Sequence, residues 1–151
     1  MNLSKDFVLE EFIRSVTATR LGLDNSVTPD IIQNLTNLCV NVLQPLRDWY
    51  GKPIRIASGY RCQALNAYIG GSLNSQHMVG QAADIDTIED NVKLFDHILQ
   101  GLPYDQLIWE FGLKVPAWIH VSFNVYKNRK QILRAYRDEN GVHYSPFIRE
   151  V

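Results

Sequence analysis

One stretch constrains this chain more than any other. From Thr28 to Gly51 the apolar residues Ile32, Leu35, Cys39, Val42, Leu46 and Trp49 recur at three- and four-residue steps, the period of a helix that buries one face. Thr28 is placed to cap it, Pro29 suits its first position, Asp30 suits its first turn, and Gly51 suits its end. Pro45 interrupts the pattern. Proline offers no N–H to the Asn41 carbonyl and crowds it, so a kink is expected there. This is the core helix.

The segments around it are shorter. Val8–Ser15 reads as an opening helix with Val8, Phe12 and Ile13 as its apolar stripe, and Arg20–Val27 reads as loop. After Gly51, Pro53–Ser58 alternates like a strand with proline at its start. A short helix over Ala64–Ile69 is followed by the break Gly70-Gly71-Ser72 and a strand over Ala82–Asp86. Asp90 is placed to cap a helix over Asn91–Gln100, closed by Gly101. Two further strands, Leu107–Phe111 and Trp118–Phe123, are joined through Gly112 and Pro116. Two more, Gln131–Arg137 and Val142–Phe147, flank Asp138-Glu139-Asn140-Gly141, and Asn-Gly is the strongest short hairpin signal. Helices come first and hairpins follow, which predicts an α+β fold with helices packed on a central antiparallel sheet.

Composition sets the outer bounds. The 151 residues include 46% apolar ones, with three Trp, seven Tyr and six Phe, which excludes a disordered chain. That length suits a single domain over residues 1–151, since domains run roughly 100–200 residues. Lys and Arg total 15 against 16 Asp and Glu, and they form no basic stripe, which argues against a nucleic-acid binder. No window approaches the ~18 consecutive apolar residues of a membrane span. The polar opening Met1-Asn2-Leu3-Ser4-Lys5-Asp6 lacks the marks of a signal peptide, so synthesis in the cytoplasm without an export address is expected. Cys39 and Cys62 are the only cysteines, in no paired spacing, and read as a core residue and a loop thiol.

The chemistry gathers in Ser75-Gln76-His77-Met78-Val79-Gly80-Gln81-Ala82-Ala83-Asp84-Ile85-Asp86. His77 falls in a loop, and Asp84 falls on a strand whose alternate face also holds Ala82 and Asp86. In Trp118-Ile119-His120-Val121-Ser122, Ile119 and Val121 point one way, while Trp118, His120 and Ser122 share the other face. Two His and one Asp would leave a fourth tetrahedral position open, which separates catalytic from structural zinc. Each also has an ordinary role open to it: a strand His can be buried and hydrogen-bonded, and Asp84 can be a strand-end residue. His97 and His143 read as ordinary helix and hairpin residues.

Taken in order, Ser58-Gly59-Tyr60-Arg61, Leu65-Asn66, Gly70-Gly71-Ser72, Ser75-x-His77-x-x-Gly80-x-Ala82-x-Asp84 and Trp118-Ile119-His120 closely resemble the zinc D-Ala-D-Ala carboxypeptidase family. Relatives of that family include L-alanyl-D-glutamate endolysins and D-Ala-D-Ala dipeptidases, and its zinc core is shared with the Hedgehog signalling domain. The resemblance runs from about Leu3 to about Phe123 and is greatest to the small single-domain branch of phage and prophage genomes. It implies one zinc ion held by His77, Asp84 and His120, and Arg61 as the arginine that binds the substrate's carbonyl or carboxylate. Ser75 and Trp118 are expected to contact substrate beside Arg61. It further implies a peptidase acting on peptidoglycan stem peptides, as a monomer, reaching the wall after release or within a virion.

One departure matters. Many relatives place the catalytic carboxylate three residues before the last His, where this chain has Ala117. Glu110 is the remaining candidate for the base. A hairpin register opposing Phe111 to Ala117 puts Glu110 opposite Trp118 and diagonal to His120, roughly 7–8 Å away. A one-residue slip would turn Glu110 to the other face, leaving it a solvated strand-end residue. Arg61 is alternatively a surface arginine in a polar turn, and Asp86 is either an acceptor for a ligand histidine's N–H or an exposed strand residue. Ala117 also keeps open a catalytically inactive zinc-containing binding or structural module.

Overall fold

The computed structural model describes residues 1–149. Helices α1 (Leu9–Ile13) and α2 (Val16–Leu21) open the chain. The core helix follows as α3 (Pro29–Leu38), a π turn (Cys39–Leu43) and α4 (Gln44–Tyr50). Strand β1 (Arg55–Ser58) leads to α5 (Gln63–Tyr68), a 3-10 turn (Gln76–Val79) and β2 (Ala82–Asp86). Helix α6 (Asn91–Gly101) precedes β3 (Gln106–Glu110), β4 (Trp118–Ser122), β5 (Gln131–Asp138) and β6 (Gly141–Pro146).

Local chemistry explains the long helix. The Thr28 hydroxyl accepts from Ile31 N at 3.4 Å, Pro29 occupies the first turn, and Gly51 closes α4 in the left-handed region at φ 75°. The disturbance expected at Pro45 is the π turn just before it, in which Gln44 N–H reaches back to the Cys39 carbonyl. Inserting one residue in the turn relieves the clash a proline ring makes with the carbonyl four residues earlier. Asp90 sits at the start of α6 but does not cap it; its carboxylate accepts from the Tyr50 hydroxyl at 2.7 Å. Helix α2 falls partly where a loop is expected, because Ser15 accepts from Ala18 N and Gly22 ends the turn.

The sheet has six strands in the order β1-β2-β4-β3-β5-β6. It is mixed, which corrects the expected antiparallel sheet: β5 runs parallel to β3, while every other neighbouring pair is antiparallel. The cause lies in the connection. Strand β4 ends beside the start of β3, with Leu107 opposite Val121, and the loop after it reaches only far enough to start β5 opposite Gln106. Buried Asp105 holds that loop, its carboxylate accepting from Arg129 Nε and Nη2 and from Arg129 N–H.

The pleat sorts the side chains into two layers. Ile56, Ala83, Ile85, Leu107, Trp109, Ile119 and Val121 share one face and pack against Leu35, Leu38, Val42, Leu46, Leu94, Phe95 and Ile98 of the helices. The opposite face carries Asp84, Ile108, Glu110, Trp118 and His120. Both cysteines are free; Cys39 is buried in the π turn and Cys62 is partly exposed at the start of α5.

Gly59 links the layers. A Cβ there would lie 2.5 Å from the Phe12 carbonyl oxygen and 2.6 Å from its Cα, and Tyr60 N–H donates to that carbonyl at 2.7 Å. Gly59→Ala is therefore expected to destabilise by about 1–3 kcal/mol through overpacking against backbone. Gly101→Ala, with nothing within 4 Å of the new methyl, should be neutral or gain up to about 1 kcal/mol. Denaturant midpoints of the two variants check the contrast.

Candidate metal centre and active-site cleft

Three side chains from three elements converge on the polar face of the sheet. His77 comes from the 3-10 turn, Asp84 from the middle of β2 and His120 from β4, and Asp84 and His120 are direct cross-strand partners. His77 Nε2 lies 3.4 Å from Asp84 Oδ1, His120 Nδ1 lies 3.3 Å from the same oxygen, and the two ring nitrogens are 3.2 Å apart. One ligand atom from each residue fits within 4.8 Å of the others, and all three residues are buried.

Surrounding bonds aim these atoms. His77 Nδ1 donates to the Gly59 carbonyl at 2.7 Å, which leaves the lone pair of Nε2 facing the cluster. The ring's carrier is set too, because Ser75 Oγ accepts from His77 N–H at 3.2 Å and Gly80 turns the chain out at φ 77°. Asp84 Oδ2 accepts from Arg61 Nη2 at 3.1 Å, and Arg61 Nε donates to Ser58 Oγ at 3.1 Å. The loop carrying Arg61 is clamped by Asn25, whose amide donates to the carbonyls of Ile13 and Tyr60 and accepts from Cys62 N–H.

Electrostatics follow burial. Burial alone would raise Asp84, but the His77 charge and the hydrogen bonds from both histidines outweigh it and hold the carboxyl far below the usual range. Burial depresses His120, against the pull of Asp84, so its ring is biased towards the neutral form that ligates metal. His120 Nε2 is buried without a hydrogen-bond partner among the described residues. Two imidazoles and a carboxylate aimed at one point form a donor set that fits zinc.

Glu110 stands on the same face, opposite Trp118, in the register that the sequence predicts. It is 6% exposed, and among the described residues its carboxylate has no hydrogen bond or ion pair. Burial first, and the Asp84 charge second, push its carboxyl up to about 8, against the lowering effect of Arg61. Glu110, Arg61, Ser75 and Trp118 all line a cleft of about 850 Å³ that opens over the three ligand residues. Tyr144 of β6 lines it too; burial, then the charges of Glu110 and Asp84, raise its phenol above the ordinary value.

The other expected residues fall as follows. Asp86 is not brought to the histidines. It accepts from Asn91 Nδ2 at 2.9 Å and pairs with Arg55 at 3.2 Å, because two residues further along β2 it meets Arg55 of β1 rather than the site. The acceptor for His77 is instead the Gly59 carbonyl, whose sequence signal is a glycine with no turn to explain it. Arg61 is mostly buried, with its guanidinium on Asp84 and Ser58 rather than in an exposed turn. His97 stacks on Trp49 with centroids 3.8 Å apart, and His143 pairs with Asp138, both away from the three-residue cluster.

A buried His-Asp-His cluster beside an unpaired carboxylate is a group that could hold one metal ion with a position left open. The chain belongs to the Peptidase M15 family, whose model matches residues 5–122. That match ends with the last residue of β4, leaving the β5–β6 hairpin outside it. No curated protein sequence matches the chain.

Glu110 generates a pH prediction. A carboxyl whose pKa is higher in the folded than in the unfolded state destabilises the fold as it ionises, here as pH rises from about 4.5 to about 8. In metal-free protein, Glu110→Gln should therefore raise the denaturant midpoint above wild type at about pH 8.5, with the difference closing below about pH 4.5. A pH-independent difference would contradict the assigned burial.

Proposed function

We propose that the protein is a zinc peptidase that hydrolyses peptidoglycan stem peptides containing D-amino acids. The observation that carries the reading is the convergence of His77 Nε2, Asp84 Oδ1 and His120 Nδ1 in a cleft that also holds an unbonded Glu110 carboxylate. Membership of the Peptidase M15 family supports it. A wall-directed lysin, released from the cell or carried on a virion, is the biological setting proposed for this activity.

Zinc held by the three residues would supply Lewis acidity towards the scissile carbonyl, an acidified water and positive charge that favours ionised Glu110. Glu110 then takes a proton from the attacking water on a carboxylate oxygen and delivers it to the leaving amine as the C–N bond breaks. Arg61 has a different task. Its Nε and Nη2 hold Ser58 and Asp84, while Nη1, unbonded among the described residues, is free to hold a substrate carbonyl or carboxylate. Its guanidinium also opposes negative charge as the carbonyl carbon becomes tetrahedral. Trp118 lines the cleft beside Glu110, its cross-strand neighbour, and the Ser75 hydroxyl, which accepts from His77, retains a proton to donate to substrate.

Purified protein should hold about one zinc per chain, and Ala at His77, Asp84 or His120 should abolish stoichiometric binding. With purified muropeptides as substrate, Glu110→Gln should lower kcat by about 10²–10⁴-fold while zinc content stays at the wild-type level. Unchanged zinc in all three ligand variants would overturn the metal site. A wild-type protein that holds zinc and binds muropeptides without cleaving them would instead be a binding module.

A further inference from the structure

The wall of the cleft that lies outside the family match carries its own chemistry. Strand β5 extends the sheet beyond β3, and β6 extends it again, so the face that bears Glu110 continues through Ala135 to Tyr144. Three arginines line the cleft: Arg61, Arg129 and Arg137. Arg61 is paired with Asp84, and Arg129 is paired with Asp105. Arg137, near the end of β5, has no carboxylate partner among the described residues, and its neighbour Asp138 is taken by His143.

Arg137 is nevertheless held in place. Its guanidinium lies 5.2 Å from the centroid of the Phe111 ring, and Phe111 packs edge-on against Trp118 with centroids 5.3 Å apart. Phe111 reaches this position through backbone strain. Strand alternation after Glu110 would send residue 111 to the core face, but its φ of 62° redirects the side chain to line the cleft. Such a conformation is costly for a bulky non-glycine residue, and residues held this way cluster at ligand-binding positions. Here the strained residue joins the cleft wall Trp118 to an otherwise unpaired cation.

We propose that the β5–β6 hairpin is the specificity wall of the cleft, where Arg137 binds a second carboxylate of the substrate peptide, on the far side of the scissile bond from the group held by Arg61. The assignment rests on the peptidase reading above and narrows its substrate to an acidic peptide. Three strand spacings separate β2, which carries Asp84 with its partner Arg61, from β5, roughly 14 Å. That span corresponds to about four extended residues. Tyr144 of β6, opposite Ala135, lines the same wall just beyond β5.

The test uses zinc-loaded full-length protein and two synthetic muropeptides that differ only in one carboxyl on the amino-terminal side of the scissile bond, free in one and amidated in the other. Wild type should prefer the free acid. Arg137→Gln should lower the ratio of kcat/KM for free over amidated peptide by about tenfold, the worth of one charge-assisted contact. Arg137→Lys should restore part of that ratio, because it keeps the charge and loses the planar fork. Dissociation constants from calorimetry on metal-free protein should follow the same order. If wild type cleaves both peptides and Arg137→Gln leaves the ratio unchanged, the hairpin assignment falls while the peptidase reading stands. If wild type cleaves neither, both fall.

Discussion

The structure is organised around one buried anion. Asp84 sits in the middle of the sheet with its carboxylate out of water, a position that is untenable for an ion without partners. It has three: His77 and His120 share Oδ1, and Arg61 takes Oδ2. Those partners come from the 3-10 turn, from β4 and from the loop after β1. Removing any one leaves charge unsatisfied in the interior, which is why breaking such a network costs far more than the network adds. The β2–β4 register, the loop that carries Arg61 and the turn that carries His77 all converge on one carboxylate.

Support for that centre is layered. Phe12 of α1 packs into the space that Gly59 lacks, and the Gly59 carbonyl then fixes the tautomer of His77. Asn25 holds the same loop by two hydrogen bonds, to Tyr60 and Cys62, and ties it to α1 by a third, to the Ile13 carbonyl. On the other side, Asp105 anchors Arg129 and also accepts from Gln76, the residue before His77. Helices that look remote in the sequence therefore set the aim of a ring nitrogen.

Much of this was legible in the residues, and the remainder was hidden for physical reasons. The His120 strand and its pairing with the Glu110 strand could be read because Gly112 and Pro116 restrict the turn, and alternation then decides which face Glu110 occupies. The Asn140-Gly141 hairpin was equally plain, since its turn chemistry is local. The parallel pairing of β5 was not, because it depends on where β4 ends in space and on the Asp105–Arg129 anchor. The bonding of Asp86 to Arg55 and Asn91 depends likewise on the neighbouring strand and helix. Pro45 announced a disturbance, but whether a helix kinks or takes an extra residue in the turn is decided by packing. The strain at Phe111 has no sequence mark, because nothing distinguishes a phenylalanine that must adopt positive φ.

His77, Asp84 and His120 are proposed to hold a metal ion through two imidazole nitrogens and one carboxylate oxygen. X-ray absorption at the zinc edge on the loaded protein tests it most directly. The expected result is a four-coordinate first shell of nitrogen and oxygen only, with two imidazoles at roughly 2.0–2.1 Å. A zinc–sulfur distance of about 2.3 Å, implicating Cys62 or Cys39, would contradict it, as would a shell without imidazole scattering.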